Sequence, residues 1–294
     1  MMNSLKKFNR TISIYSQNGC HAAAAIAGAV ACGPPDYDDE TQWSKPEKTR
    51  PKNPNQLTLL QHVFPTKSIS RLTNTQGTVD VYDILRRRSR RAKPTDGIFC
   101  AKRAWDQRSE SGYMLEIENQ FQDIAEKTIV EQCGIVDVEQ RRRVNRFYAL
   151  WHMRARYTQL KDQETQLASN TGDRLTLEQE ENLEQAHYLF IRTGGRIPSR
   201  QLNGIWLQFK IDELARQLEE TVRWGVIRSQ SGEFITPDIP RRLIIPLTPS
   251  LALIGNASDG IITRENLAQV NHFTVDGCRT YYMAKDLTNC PCSA

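Results

Sequence analysis

Between residues 115 and 224 four stretches carry apolar residues at helical spacing, and short alternating segments stand on either side of them. In "LEIENQFQDIAEKTIVEQC", Ile117, Phe121, Ile124, Ala125 and Thr128 share one helical face. In "VEQRRRVNRFYALWHMRARYTQL", Val144, Phe147, Tyr148, Trp151 and Ala155 do the same. "TLEQEENLEQAHYLFIRT" opens with Thr176 and has Gln179 three places on, the signature of a capping box. A fourth helix is expected over "LNGIWLQFKIDELARQLEETVRWGVI", ending near Trp224. Ahead of these helices, "GTVDVYDIL" alternates Val79 and Val81 with Asp80 and Tyr82, as a half-buried strand does. "GIFCAKRAW" is expected to be its hairpin partner, across a basic loop "RRRSRRAK". After the helices come strand-like runs on both sides of Asp238, then a closing helix and strand in "ITRENLAQVNHFTVDGCRTYYMAKDL". Strands at both ends of a helical middle predict an α+β fold, with small terminal strands or a hairpin packed with a central helical region.

The domain plan follows from where this pattern starts and stops. Residues 33–55, "GPPDYDDETQWSKPEKTRPKNPN", are rich in proline and charge and read as a linker or extended arm. Residues 1–32 form an Ala-rich appendage, 56–286 a single α+β domain and 287–294 a tail. "CHAAAAIAGAVAC", 20–32, is read as a helix and not as a signal peptide, because its apolar core is mostly alanine and "SQNGCH" interrupts the approach. The chain lacks any apolar run of about 18 residues, so no membrane-spanning helix and a cytoplasmic location are expected. The 7 cysteines are odd in number and scattered, which argues against a disulfide framework. Cys290 and Cys292 in "NCPC" are too few for a zinc site without distant partners.

The chemistry-bearing candidates are few. There is no Gly-rich phosphate loop, no GxSxG elbow and no HExxH pair, and "TGGR" at 193–196 is expected to hinge two helices. Asp238 stands between Pro237 and Pro240, which restrict the backbone around its carboxylate; the same spacing also suits a capped turn. His62 in "QHVFP" is a candidate general acid or base, as histidine side chains are, or a hydrogen-bonded structural histidine. "RRRSRR", 86–91, attracts phosphates or acidic surfaces, or is a solvated loop. Arg154 and Arg156 flank the Trp151 face, close to His152. The net charge of +5 permits an acidic partner without demanding one.

As an ordered set, these residues resemble domain-of-unknown-function family 4238, which is uncharacterised and mainly bacterial. "QHVFPTKSISRLTNTQGTVDVYDI" is similar to its opening, His62 to Pro65 matching its His-x-x-Pro motif. "LEIENQFQDIAEKTI" resembles its acidic helix and "FYALWHMRAR" its helix with a Gln or His before an Arg. "RWGVIRSQSGEFITPDIPRRLIIPLTPSLAL" is similar to its Trp, "fitsDxP" and "PLsP" segment, with Pro237 where the family often has Ser. "LAQVNHFTVDGCRTYYMAKD" resembles its closing helix and strand. The resemblance spans about 56–286 and implies no agreed activity. It singles out His62, Pro65, Glu118, Arg154 or Arg156, Asp238, Pro240 and Asn271.

Two functional expectations follow. In the first, the chain is a toxin-like or defence effector hydrolase acting on nucleic acid or a nucleotide. Asp238 and Glu118 supply carboxylates for a divalent metal ion or for proton transfer, and His62 is the general acid or base. Arg154 or Arg156 holds a phosphate, and Asn271 joins the binding residues. In the second, the chain is a non-catalytic interaction or oligomerising module: Asp238 caps a turn, and residues 1–55 dock on a partner or another copy.

Overall fold

The computed structural model describes residues 13–15, 47–131, 134–135, 137–158, 164–167 and 172–292. The Ala-rich stretch 20–32 and residues 33–46 of the arm lie outside them. In chain order the elements begin with β1 (Ser13–Tyr15), β2 (Leu60–His62), α1 (Thr66–Ser70), β3 (Val79–Asp83), β4 (Arg88–Ala92) and β5 (Cys100–Lys102). A π-helical turn (Ser109–Met114) leads into α2 (Leu115–Glu131), followed by α3 (Val138–Tyr157), β6 (Thr165–Gln166) and α4 (Leu177–Gln185). Then come β7 (Tyr188–Phe190), β8 (Arg196–Ile197), α5 (Ser199–Thr221), β9 (Trp224–Ser229) and β10 (Thr236–Pro237). The chain closes with β11 (Ile244–Thr248), β12 (Leu251–Gly255), β13 (Gly260–Ile262), α6 (Arg264–Val275) and β14 (Tyr281–Ala284). The fold is α+β. No helix among the described residues is long and apolar enough to cross a membrane.

The chain divides into two compact units, so the tract 56–286 is shared between them. The first comprises Met1–Gln61, Lys102–Leu115 and Tyr157–Phe209. Its helix α4 starts with the capping box expected at Thr176 and Gln179, each side chain bonding the other's backbone N–H. "TGGR" lies between β7 and β8 instead of between helices, because the chain extends again right after α4. Arg192 N–H to Arg196 O (2.8 Å) closes this turn, and Gly194 and Gly195 take φ of +80° and +78°, open to glycine without a Cβ penalty. The interior is unusually ionic. Arg103 and Arg200 both reach Glu184, at 2.7 and 2.9 Å, and Arg192 grips Glu180 at 2.6 and 2.7 Å.

The second unit comprises His62–Ala101, Glu116–Arg156 and Lys210–Ala294. Every apolar position expected on the faces of α2 and α3 is buried. There, Phe121 and Phe147 stack with centroids 3.5 Å apart, and Phe64 leans on Trp151 at 4.5 Å. Two sheets flank these helices in sequence. One has the order β11-β12-β9-β13, its inner face contributing Ile227, Ile244 and Ala252 to a cluster with Phe234 and Leu267.

The other sheet, β10-β14-β3-β4, carries the site and corrects the expected hairpin. The partner of β3 is the arginine run itself, as β4, and not "GIFCAKRAW". A turn at Ile84–Arg87 puts Val79 opposite Ala92, Val81 opposite Arg90 and Tyr82 opposite Ser89. Charged side chains suit an edge strand, and local carboxylates anchor this one: Asp83 takes Arg86 at 2.8 Å, and Asp96 takes both Nη atoms of Arg90 at 2.8 Å.

Candidate functional site

The segment Thr236–Arg242 is shaped by its two prolines and its one carboxylate. Pro237 ends β10 opposite Tyr282 of β14, and Asp238 N–H continues the ladder to Tyr281 O at 3.2 Å. The chain then turns, and the buried Asp238 carboxylate gathers the backbone on both sides of that turn. Its Oδ1 accepts from the N–H of Ile239 (2.9 Å) and Arg279 (3.1 Å). Its Oδ2 accepts from the N–H and hydroxyl of Thr280, at 2.6 and 2.7 Å. This carboxylate is a clamp between the turn and the start of β14.

Two residues later, the Pro240 carbonyl is held from helix α3. The Tyr148 hydroxyl donates to it at 2.8 Å, and His152 Nδ1 lies 3.0 Å away. A carbonyl only accepts, so Nδ1 carries the proton and a neutral ring leaves Nε2 with its lone pair. Burial holds the His152 imidazole below its ordinary value; the bond to Pro240 opposes this, and the guanidinium charges of Arg156 and Arg241 add to it. His152 is therefore a neutral base at pH 7, set among cations.

Arg241 and Arg242 follow directly and are exposed. Neither has an ion-pair partner among the described residues; Arg242 sits over the Phe273 ring at 5.4 Å. The dimple between Pro237, Arg242, Phe273 and Thr274 has a volume of about 10 Å³, room for one water. A cavity of about 250 Å³ lined by Ile124, Lys127, Thr128 and Gln140 includes none of the residues singled out by the sequence.

The six sequence candidates fall into separate hydrogen-bond sets. His62 Nε2 faces Pro94 O at 3.0 Å, while its carbonyl accepts from Arg154 Nη1 at 3.1 Å. Arg154, buried on α3, also pairs with Glu118 on α2. Asn271 on α6 accepts from Ile235 N–H (3.0 Å) and donates to Glu233 O and Pro291 O, both at 2.9 Å. Asp238 holds Thr280, and Arg156 contributes its charge beside His152. So Glu118, Arg154 and the backbone of His62 come together, Asp238 and Arg156 belong to the turn, and Asn271 anchors the strand before it. Cys290 Sγ lies 3.4 Å from Asp286 O, and no three metal-ligating side chains group among the described residues.

Sequence reasoning missed Tyr148, Arg241, Arg242 and Thr280, and gave His152 no role of its own. The available signal was the spacing of Tyr148 and His152, four apart and hence on one face of α3. What they face, a backbone carbonyl 88 residues away from His152, has no signature in the sequence.

The lowered His152 value has a stability consequence. Between the ordinary value of 6.5 and the lower folded value, the unfolded chain binds a proton that the folded chain does not. Stability contributed by the neutral ring is present above about pH 6.5 and is lost as pH falls through the folded value. Urea midpoints measured from pH 8 to 5 are expected to drop on the acid side, and less in His152→Gln. Equal slopes for the two proteins would refute it.

No family model, no curated protein and no solved structure matches the chain.

Proposed function

We propose that the chain acts on a phosphate-bearing ligand, a nucleotide or a nucleic acid, at the Asp238 turn. His152, in place of His62, is then the proton-transfer group. The observation carrying this reading is a neutral imidazole, its Nδ1 bound to Pro240 O, with the charges of Arg156 and Arg241 beside it. Guanidiniums match the charge and fork geometry of a phosphate, and a base poised in its neutral form withdraws a proton from water or a ribose hydroxyl. Asp238 then acts by positioning, fixing the turn that carries Arg241 and Arg242. The reading keeps the chain as a divergent relative of domain-of-unknown-function family 4238, and keeps the hydrolase of effector type as its reaction class.

The test is incubation of the purified chain with total RNA, plasmid DNA and a nucleotide panel, beside His152→Ala and His62→Ala. Wild type and His62→Ala are expected to consume the same substrate. His152→Ala should be slower by about 100-fold or more, the usual reach of one acid–base group. Undiminished turnover by His152→Ala, at equal melting temperature, would sink the assignment.

The non-catalytic module stays as a second reading for one reason. The Glu118, Asp238 and Asn271 side chains are all engaged by internal partners, as structural residues are. Absence of turnover with every substrate would leave that reading standing alone.

A further inference from the structure

The sheet β10-β14-β3-β4 has a chemically distinct outer face, and its register lines up one row across all four strands. Pro237 lies opposite Tyr282, Tyr282 opposite Tyr82, and Tyr82 opposite Ser89. Side chains directly opposite one another point to the same face. The neighbouring positions Val81, Met283 and Thr236 are buried in the core, so this row points outward; Pro237 at its end is itself buried, and the open part of the row is Tyr282, Tyr82 and Ser89. Tyr82 and Tyr282 are half-buried and stacked, with centroids 5.1 Å apart and planes at 23°. Ser89 is exposed and short, so it puts little bulk beside Tyr82.

The guanidiniums collect at one end of the sheet, alongside this row. β10 ends where β14 begins and β3 ends, and Ile84 N–H bonds Thr280 O at 2.9 Å. The Asp238 turn and the Ile84–Arg87 turn therefore project from the same end of the sheet. One turn carries Arg241 and Arg242. The other carries Arg87, which is exposed and whose side chain makes no ion pair among the described residues; Arg88 lies opposite Asp83 and so belongs to the other face of the sheet. The neighbouring Arg86, Arg90 and Arg91 are matched by Asp83, Asp96 and Asp80, Arg91 loosely at 3.7 Å.

The geometry points to a single-stranded nucleic acid as the occupant of this face. Its bases stack on the Tyr82–Tyr282 row, and its phosphates run along the end bearing Arg87, Arg241 and Arg242. Two strand spacings give the open row, from Tyr282 to Ser89, a width of about 10 Å, a track and not a pocket. Every base has a stacking face and every linkage a charge, so aromatic rings beside a basic border select unpaired strands with little regard to sequence. A duplex hides its base faces and gains nothing from the tyrosines. The inference rests on the phosphate reading of the Asp238 turn and names its substrate class as a polymer.

The experiment is fluorescence anisotropy with a labelled eight-nucleotide oligo-U and oligo-dT, an eight-base-pair duplex and UMP, at several salt concentrations. Wild type is expected to prefer the single strands. Tyr82→Ala should weaken them about 10-fold, and Tyr82→Phe, which keeps the ring, by less than about 2-fold. Arg87→Ala should lower the slope of log affinity against log salt by about 0.7, the share of one phosphate. These substitutions are at or near the surface, and unchanged melting curves certify the fold. Equal binding by Tyr82→Ala, or oligomers held no better than UMP, overturns the inference while leaving the turn as a phosphate site. Tight oligomer binding that depends on Tyr82 but is never followed by cleavage upholds the track and removes the acid–base role of His152. Absence of binding to any probe overturns both.

Discussion

Asp238→Ala is expected to lower folding stability by about 3 kcal/mol, a large effect for a single turn residue. The carboxylate accepts from the N–H of Ile239, Arg279 and Thr280 and from the Thr280 hydroxyl. Alanine leaves these donors beside a buried gap, and each orphaned buried donor costs about 1–3 kcal/mol. Water reaches part of the Arg279–Thr280 loop, which keeps the total below the simple sum. Thr280→Val removes one hydroxyl bond and should cost about 1 kcal/mol. Urea denaturation of the three proteins decides the matter. A loss under about 1 kcal/mol for Asp238→Ala would mean that the carboxylate is not the clamp. Its bonds would then be incidental to a chemical role, and a stable but inactive variant would restore Asp238 as a reacting group. On the clamp account, activity falls because the Pro240 carbonyl and the two arginines lose their place.

How much of this was legible depended on whether the cause was local. The faces of α2 and α3 follow from side-chain period, and all of their expected positions are buried, because helical amphipathicity is written in the sequence itself. The Thr176–Gln179 box is local in the same way. The β3 partner was misread because arginine-rich segments look like solvated loops. Here Asp83 and Asp96 neutralise part of the run and let it lie along the sheet edge. "TGGR" was misread because the helix expected before it stops at Gln185 and the chain then extends. Asp238 was recognisable as special from Pro237 and Pro240, but not as a clamp, since its main partners are 41 and 42 residues away. His152 was passed over for the opposite reason to Arg154. Beside an apolar face both look alike in sequence, and only the long-range partner separates a buried ion pair from an imidazole with a nitrogen to spare.

That separation has its own expected result. Arg154→Met should destabilise the second unit by about 3–4 kcal/mol, because it leaves Glu118 without its cation and His62 O without a donor. Glu118→Met should cost at least as much, since the guanidinium left behind is 1% exposed, against 19% for the Glu118 side chain, and rehydrates less readily. The double variant replaces both charges by methionines of suitable volume and is expected to be more stable than the worse single one. The cycle should therefore show a coupling of about 1–3 kcal/mol. Additive losses would show that the two side chains do not depend on one another. The same numbers bear on function. For Arg154 to hold a phosphate it must leave Glu118 and reach solvent from a buried position, so a ligand there would first have to offset the pair it breaks. Arg241 and Arg242 carry no such obligation. A strongly coupled Glu118–Arg154 pair makes it the brace between α2 and α3 and, on the proposed phosphate reading, leaves the anion to Arg241 and Arg242.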